Sequence, residues 1–395
     1  MKPVSTRVKS IAPSPTIRLG SLANELKAQG LDVINLGIGE PDFPTPAHVV
    51  EAGQKAMAEV PMTKYVSSIG LKDLREAIAE KSRRENRIPA QPENVLVAPT
   101  KHCIFLAVMS LVDPGEEVLM ADPGWVSYDP IARLAGGRPV PVPAADEAGF
   151  VLTPEALAEA ITPKSKAVIV NSPSNPAGSV IPEEAFRGIA DLCKDHDLYL
   201  ISDEIYKHII YDGHKHFSPA QISDEVRRRT IIVDGVSKTY SMTGWRIGWL
   251  IGPEDFVKAA STLQSQMTSC PNAIAQEASV EALLGPQDSV EAMRAEFERR
   301  RDLIVARLRA VPGLSCRQPR GAFYAFPDVS QLVGRELGGK KMASASDVSD
   351  YLLDDGLVST VPGPAFGMDG FIRLSFACST AQIEEGVRRM AEALA

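Results

Sequence analysis

Four polar stretches that follow apolar runs carry residue types able to do chemistry: Pro99-Thr-Lys-His102, Asn171-Ser-Pro-Ser-Asn-Pro-Ala-Gly178, Ser202-Asp-Glu-Ile-Tyr206 and Asp234-Gly-Val-Ser-Lys-Thr-Tyr240. In an open parallel sheet the ligand sits beyond the carboxyl ends of the strands, so such endings are the places to weigh. Any one alone reads equally well as a solvated strand end. Together they offer a carboxylate, a lysine, amides and hydroxyls, with Arg246 eight positions beyond Lys238. Walker-type loops, Gly-x-Gly-x-x-Gly, His-Glu-x-x-His, Gly-x-Ser-x-Gly and spaced metal ligands do not occur in the sequence. The usual nucleotide, zinc and serine-hydrolase readings fall away, and no metal is expected. A lysine-based cofactor remains.

The elements that must position these residues alternate along the chain. Short β-branched runs at Asn94–Ala98, Glu117–Met120, Lys166–Val170, Leu198–Ser202 and Thr230–Asp234 read as buried strands. Between them lie helical patterns. After Pro182, Phe186, Ile189, Ala190 and Cys193 fall at helical spacing behind acidic Glu183 and Glu184, and Gly70–Asn86 and the C-terminal stretch from Ile383 to Leu394 repeat the pattern. This order predicts an α/β fold with a mostly parallel sheet flanked by helices. After Gly285 a long charged helix is followed by short strands near Ala322–Asp328, Leu357–Val361 and Phe371–Ala377, the pattern of a smaller α+β domain. The expected division is residues 1–45 as an N-terminal arm packed on the small domain, 46–285 as the large domain and 286–395 as the small one. The arm contains one helix pattern, Arg18–Gln29, and one short strand, Val33–Leu36.

The chain has 395 residues, 44% hydrophobic and 23% charged, which excludes a disordered or fibrous protein. Its 42 Lys and Arg against 50 Asp and Glu give a net charge of −8, so neither nucleic acid nor an anionic membrane is an expected partner. Basic clusters at Lys81–Arg84, Arg227–Arg229 and Arg299–Arg301 have acidic neighbours and read as solvated faces or turns. The five cysteines are scattered without Cys-x-x-Cys spacing, as expected of reduced thiols in the cytoplasm. No export signal or membrane span is expected, since the longest apolar stretch, near Ile104–Val112, is far too short.

Ordered motifs then carry a resemblance over nearly the whole chain. Gly39-Glu-Pro-Asp-Phe43, Tyr65 with Gly70, Trp125-Val-Ser-Tyr128, Asn171-Ser-Pro-x-Asn175-Pro, Ser202-Asp-Glu-Ile-Tyr206, Ser237-Lys238, Thr243-Gly-Trp-Arg-Ile-Gly248 and Arg373-Leu-Ser resemble the class I aminotransferases. These are pyridoxal-phosphate enzymes of fold type I, and the bacterial aspartate and prephenate aminotransferases are the most similar. The resemblance implies pyridoxal 5′-phosphate as cofactor, an amino acid and a 2-oxo acid as substrates, and a homodimer.

Residue roles follow from the same resemblance. Lys238 matches the amine that holds the cofactor aldehyde as a Schiff base and then acts as general base and acid. Asp203 matches the carboxylate that keeps the pyridine nitrogen protonated. Tyr206 and Asn175 match groups that hydrogen-bond the phenolic oxygen, and Trp125 the aromatic that stacks on the ring. Arg246, Ser237 and the amides of Thr100 and Lys101 match the phosphate cup, and Tyr65 a tyrosine reaching the neighbouring subunit's phosphate. Pro99 departs from the Ser or Gly usual in the family and removes one N–H from that cup. Arg373, with Asn175 and the Gly39 backbone, matches the grip on the substrate α-carboxylate, and Trp125 also borders the substrate. Lys101 matches a lysine that pairs with an acidic side chain, with Thr16 nearby.

The expected reaction is amino transfer from aspartate or glutamate to a 2-oxo acid such as 2-oxoglutarate. The alternatives are aromatic, prephenate-type or other amino acids as substrates, a β-lyase on the same fold, and a binding protein that retained the architecture.

Overall fold

The alternation of apolar runs and amphipathic stretches produces strands sealed between helices, as the computed structural model of residues 3–395 describes. Residues 1 and 2 of the expected arm lie outside the described residues. The first strand, β1 (Ile34–Asn35), is shorter than the expected Val33–Leu36. Seven strands then form the main sheet: β2 (Val95–Ala98), β3 (Glu117–Asp122), β4 (Arg138–Pro143), β5 (Ser165–Asn171), β6 (Tyr199–Asp203), β7 (Thr230–Gly235) and β8 (Gly248–Ile251). Their spatial order is β2-β8-β7-β6-β5-β3-β4. All neighbours run parallel except β8, which is antiparallel to both β2 and β7.

Every residue of β2, β7 and β8 is buried, as continuous apolar runs covered on both faces should be. Two strands escape the sequence pattern. The edge strand β4 reads Arg-Pro-Val-Pro-Val-Pro, and proline, lacking a ladder donor, argues against a strand unless it lies at an edge. The other, β8, is four residues long and follows the polar stretch Thr243–Arg246 closely. Its reversed direction brings Arg246 to the same edge at which the parallel strands end.

The smaller sheets come from the C-terminal third. They comprise β9 (Tyr324–Ala325), the hairpin of β10 (Glu336–Leu337) and β11 (Lys340–Lys341), β12 (Val358–Ser359), β13 (Val361–Pro362) and β14 (Ile372–Ser375). Arg373 lies on β14, the central strand of the order β13-β14-β9. The N-terminal segment is tied to this part, because β1 pairs with β12 in parallel through Ile34 and Val358. Its helix, Pro15–Ala28, packs Leu19 among Phe326, Val361 and Phe366.

The long helix Asp288–Arg309 corrects one expectation. Arg300 and Arg301 are buried rather than solvated: Arg300 Nη1 lies 2.7 Å from an Asp42 carboxylate oxygen, and Arg301 Nη1 lies 2.6 Å from one of Asp212. Lys81 is likewise buried, with Nζ 2.6 Å from Glu85. Amphipathic spacing hides this, because a long cation on the apolar face is tolerated only when a carboxylate meets it, from a distant segment for Arg300 and Arg301 and from one turn on for Lys81. Arg300 also stacks over Phe43 at 4.9 Å, so the helix clamps the Gly39–Phe43 loop.

At the sheet's functional edge, Gly235 and Gly248 are paired across β7 and β8 beneath the helix Thr100–Leu111. A Cβ on Gly248 would lie 2.3 Å from Thr100 Oγ1, and one on Gly235 2.4 Å from it. Glycine is needed here for close approach. Gly248→Ala is therefore expected to destabilise the protein by about 1–3 kcal/mol, as overpacking does. Gly244→Ala, with nothing within 4 Å of the added methyl, should stay within about 0.5 kcal/mol of the parent. Urea denaturation of the two variants checks this; equal midpoints would show that the helix end can shift freely.

Candidate active site

The strand ends meet in a cavity of about 410 Å³ bordered by both the main sheet and β14. Twelve of the residues singled out in the sequence line it. Thr100, Lys101, Ser237, Lys238 and Arg246 stand on the side of β2, β7 and β8, while Trp125, Asn175, Asp203 and Tyr206 come from the ends of β3, β5 and β6. Gly39, Thr16 and Arg373 close it from the N-terminal segment and the small sheet. Tyr65 is not brought in: it is 90% exposed and lines no part of this cavity.

Lys238 follows β7 by three residues, in a short helix, Val236–Thr239, that fixes its direction. Its Nζ donates to the Gly39 carbonyl oxygen at 2.6 Å, which joins the main sheet to the Gly39–Phe43 loop. Burial above all, with the charges of Arg246 and Arg373 added and that of Glu40 opposing, lowers its pKa from 10.5 to about 8. A value near 8 leaves roughly a tenth of the amine uncharged at pH 7, against about one part in three thousand for an ordinary lysine. The amine is thus poised as a nucleophile and base.

Asp203 ends β6 and is almost fully buried. Its Oδ2 accepts the Tyr128 hydroxyl at 2.7 Å and its Oδ1 accepts the Ile205 N–H at 3.3 Å. Desolvation raises its pKa from 3.8 to about 7, the two hydrogen bonds oppose the rise, and Asp234 and Glu204 add to it. A carboxyl so placed gains from a cationic partner in the cavity.

Arg373 is buried to 2% exposure and held from several sides. Its Nη1 donates to Asn175 Oδ1 at 2.9 Å, its Nη2 donates to the Gly37 carbonyl at 2.7 Å, and its guanidinium lies 4.5 Å from the Tyr324 ring centroid. Among the described residues no carboxylate forms a salt bridge with it, and its Nε has no hydrogen-bond partner. An unpaired, buried guanidinium facing a cavity is costly unless an anion enters, and its planar fork matches a carboxylate.

The opposite end of the cavity suits a second anion. Pro99 is the N-cap of the helix Thr100–Leu111, and no side chain caps it. The first turn therefore presents the N–H groups of Thr100, Lys101 and His102, and Pro99 removes only its own. Arg246 sits beside them in the left-handed region at φ 61°, with Nη1 on the Thr243 carbonyl at 3.0 Å. A non-glycine residue held there marks a constrained position. Lys101 Nζ lies 5.0 Å from the Trp125 ring centroid.

Tyr128 and Tyr324 are the site residues that sequence reasoning gave no role. Tyr128 lies inside the Trp125-Val-Ser-Tyr128 motif, and its spacing from a buried carboxylate on a distant strand is invisible along the chain. Tyr324 sits in an apolar run, Ala322–Phe326, where an aromatic reads as core. Its hydroxyl is 2.8 Å from that of Tyr206.

Comparison with known proteins places the whole chain in one family. The family described as aminotransferase class I and II matches residues 31–390. A probable aspartate/prephenate aminotransferase of Aquifex aeolicus is 44% identical, the match covering 100% of this chain and 99% of the relative. The crystal structure of the Rhizobium meliloti aspartate aminotransferase superposes with a TM-score of 0.96 at 42% identity, covering 100% of this chain and 99% of that one. The Thermus thermophilus aspartate aminotransferase with maleate gives 0.94 at 41% identity, with both chains fully covered.

The raised acid of Asp203 has a testable sign. The folded state holds a proton on it from 3.8 up to about 7, whereas the unfolded state loses it at 3.8. Its contribution to stability is therefore full below about pH 4 and is lost as the pH rises through about 7. Asp203→Asn should flatten that part of the stability profile in the cofactor-free protein, measured by urea unfolding at a series of pH values. An unchanged slope between pH 4 and 7 would place the proton elsewhere.

Proposed function

The chain belongs to the class I and II aminotransferase family, and on that premise we propose that its cavity holds pyridoxal 5′-phosphate and moves an amino group from aspartate or glutamate to a 2-oxo acid such as 2-oxoglutarate. The observation that carries this reading is the half-buried Lys238 amine, its pKa lowered to about 8, which shares one cavity with Asp203 and Arg373.

The donor set fits the cofactor. Three amides at a helix N-terminus, the Ser237 hydroxyl and Arg246 would hold its phosphate, Trp125 would cover the ring, and Tyr206 and Asn175 would meet the phenolic oxygen. When bound, the cofactor supplies an aldehyde carbon open to amines and a ring that draws electrons from the substrate Cα. Asp203 holds a proton at the ring nitrogen, its own carboxylate kept in place by Tyr128 and the Ile205 N–H. With the cofactor in place, Lys238 Nζ would hold its aldehyde carbon and, once freed by the substrate amine, would take the proton from the substrate Cα and deliver it to that same aldehyde carbon. Arg373 orients the α-carboxylate through its free N–H groups and so fixes which Cα bond lies toward Lys238.

Lys101 and Thr16, which line the same cavity from the main sheet and from the N-terminal segment, support an acidic side chain as substrate. Burial, and after it the charge of Arg246, lower the Lys101 pKa, and the negative charge of an arriving carboxylate would offset that lowering. The same reading makes the working unit a homodimer in the cytoplasm. Tyr65, outside its own cavity, is free to reach a second copy, and Met57, Val60 and Met267 are exposed apolar side chains of the kind that dimer contacts cover. All five cysteines are free thiols, and among the described residues no helix is long and apolar enough to cross a membrane.

Lys238→Ala should bind the cofactor without the visible absorbance that its linkage to lysine produces, and amino transfer should fall by at least about 10²-fold; retained turnover would defeat the assignment. Lys101→Ala should raise the KM for aspartate roughly tenfold to a hundredfold, the worth of one hydrogen bond to a charged group, and leave that for alanine within about twofold. Steady-state kinetics with aspartate, glutamate, alanine and phenylalanine check this, and a preference for phenylalanine over aspartate would contradict the acidic reading.

A further inference from the structure

Two phenols meet where the main sheet faces the small one. Tyr206 follows β6 by three residues, Tyr324 begins β9, and their hydroxyl oxygens are 2.8 Å apart, both buried and both lining the cavity. The Tyr324 ring supports Arg373 at 4.5 Å, and a Cβ on Gly39 would lie 2.9 Å from the Tyr324 hydroxyl oxygen. Tyr324 therefore touches the group expected to meet the cofactor oxygen, the group expected to grip the substrate and the loop whose carbonyl receives Lys238.

We propose that Tyr324 is a positioning residue with two separable parts: its hydroxyl donates to the Tyr206 oxygen and so commits the Tyr206 proton to the cavity, while its ring holds the Arg373 guanidinium in place. This rests on the proposed cofactor. A hydroxyl has one proton to give. If Tyr206 gave its proton to Tyr324, it could offer an anionic oxygen in the cavity only lone pairs, and the two would repel. With an anion present, Tyr206 must donate inward, and the Tyr324 hydroxyl, whose recorded partner is Tyr206, must donate to it. A donor that itself accepts a hydrogen bond is polarised into a stronger donor. The charged groups that act on Tyr206 are Arg373 and Asp203, with opposite sign. The ring acts separately, because Arg373 has no carboxylate partner and relies on Asn175, the Gly37 carbonyl and aromatic faces.

Tyr324→Phe removes the hydroxyl and keeps the ring, whereas Tyr324→Leu removes both. The first readout is the pH midpoint of the visible absorbance of the cofactor-loaded protein. A weaker donor at Tyr206 leaves the cofactor oxygen and the adjoining lysine nitrogen more basic, so Tyr324→Phe should raise the midpoint by about half a unit, less than Tyr206→Phe. The double variant should rise no further than Tyr206→Phe alone, the non-additivity expected of one relay. The second readout is succinate binding by calorimetry, with and without cofactor: Tyr324→Phe should bind within about twofold of the parent, and Tyr324→Leu at least about fivefold more weakly.

An unmoved midpoint in Tyr324→Phe, or additive shifts in the double variant, would overturn the hydroxyl role. Parental succinate affinity in Tyr324→Leu would overturn the ring role. If Tyr324→Leu does not fold, equal losses of succinate affinity in Tyr324→Phe and Tyr206→Phe would overturn the separation of the two parts. Failure of the cofactor reading looks different: the parent itself would show no lysine-dependent absorbance, and succinate binding to the cofactor-free variants would still decide the ring.

Discussion

A primary amine half withdrawn from water, in one cavity with two guanidinium groups, is the constraint around which this protein is built. Lys238 lies in the same cavity as Arg246 and Arg373, and only Glu40, at the rim, and Asp203 return negative charge. Ammonium is disfavoured there by desolvation and by like charge, so the amine gives up its proton more readily than a lysine in water. The same surplus of cations makes the cavity attractive to a ligand carrying a phosphate and a carboxylate. The nucleophile's activation and the ligand's binding thus have one electrostatic origin.

The fold supplies that arrangement through its edge. Parallel strands deliver Asp203, Asn175 and Lys238 to their carboxyl ends, and the single reversed strand β8 delivers Arg246 to the same place from the other direction. The glycine pair beneath Thr100 lets the helix N-terminus come down onto the sheet. From the other side, Arg300 and Asp42 fasten the loop whose Gly39 carbonyl receives Lys238, and β14 carries Arg373 in its centre. Two layers built from distant parts of the chain must agree for the cavity to exist, which makes contacts such as that between Tyr206 and Tyr324 informative.

Much of this was legible along the chain because Thr100, Asn175, Asp203 and Lys238 each sit just past an apolar run, those of β2, β5, β6 and β7, whereas Arg246 before β8 and Arg373 within β14 were legible only through the motifs around them. The reading failed where local chemistry misleads. Prolines masked β4, and shortness masked β8. Buried Arg300, Arg301 and Lys81 looked like solvated cations because their carboxylate partners are supplied mostly by the folded chain. Tyr128 and Tyr324 looked like motif filler and core because a phenol's partner across the site leaves no periodic trace. The Pro99 departure, which seemed to weaken the phosphate cup, takes one N–H and leaves three in the first turn.

The central claim is most directly tested by trapping the amine. The protein is mixed with pyridoxal phosphate at a series of pH values, reduced with borohydride, and mapped by peptide mass spectrometry. The account predicts one labelled residue, Lys238, with labelling at limiting reagent rising through a midpoint near pH 8. Label spread over Lys101, Lys207 and surface lysines, or a midpoint near the ordinary lysine value of about 10.4, would contradict it.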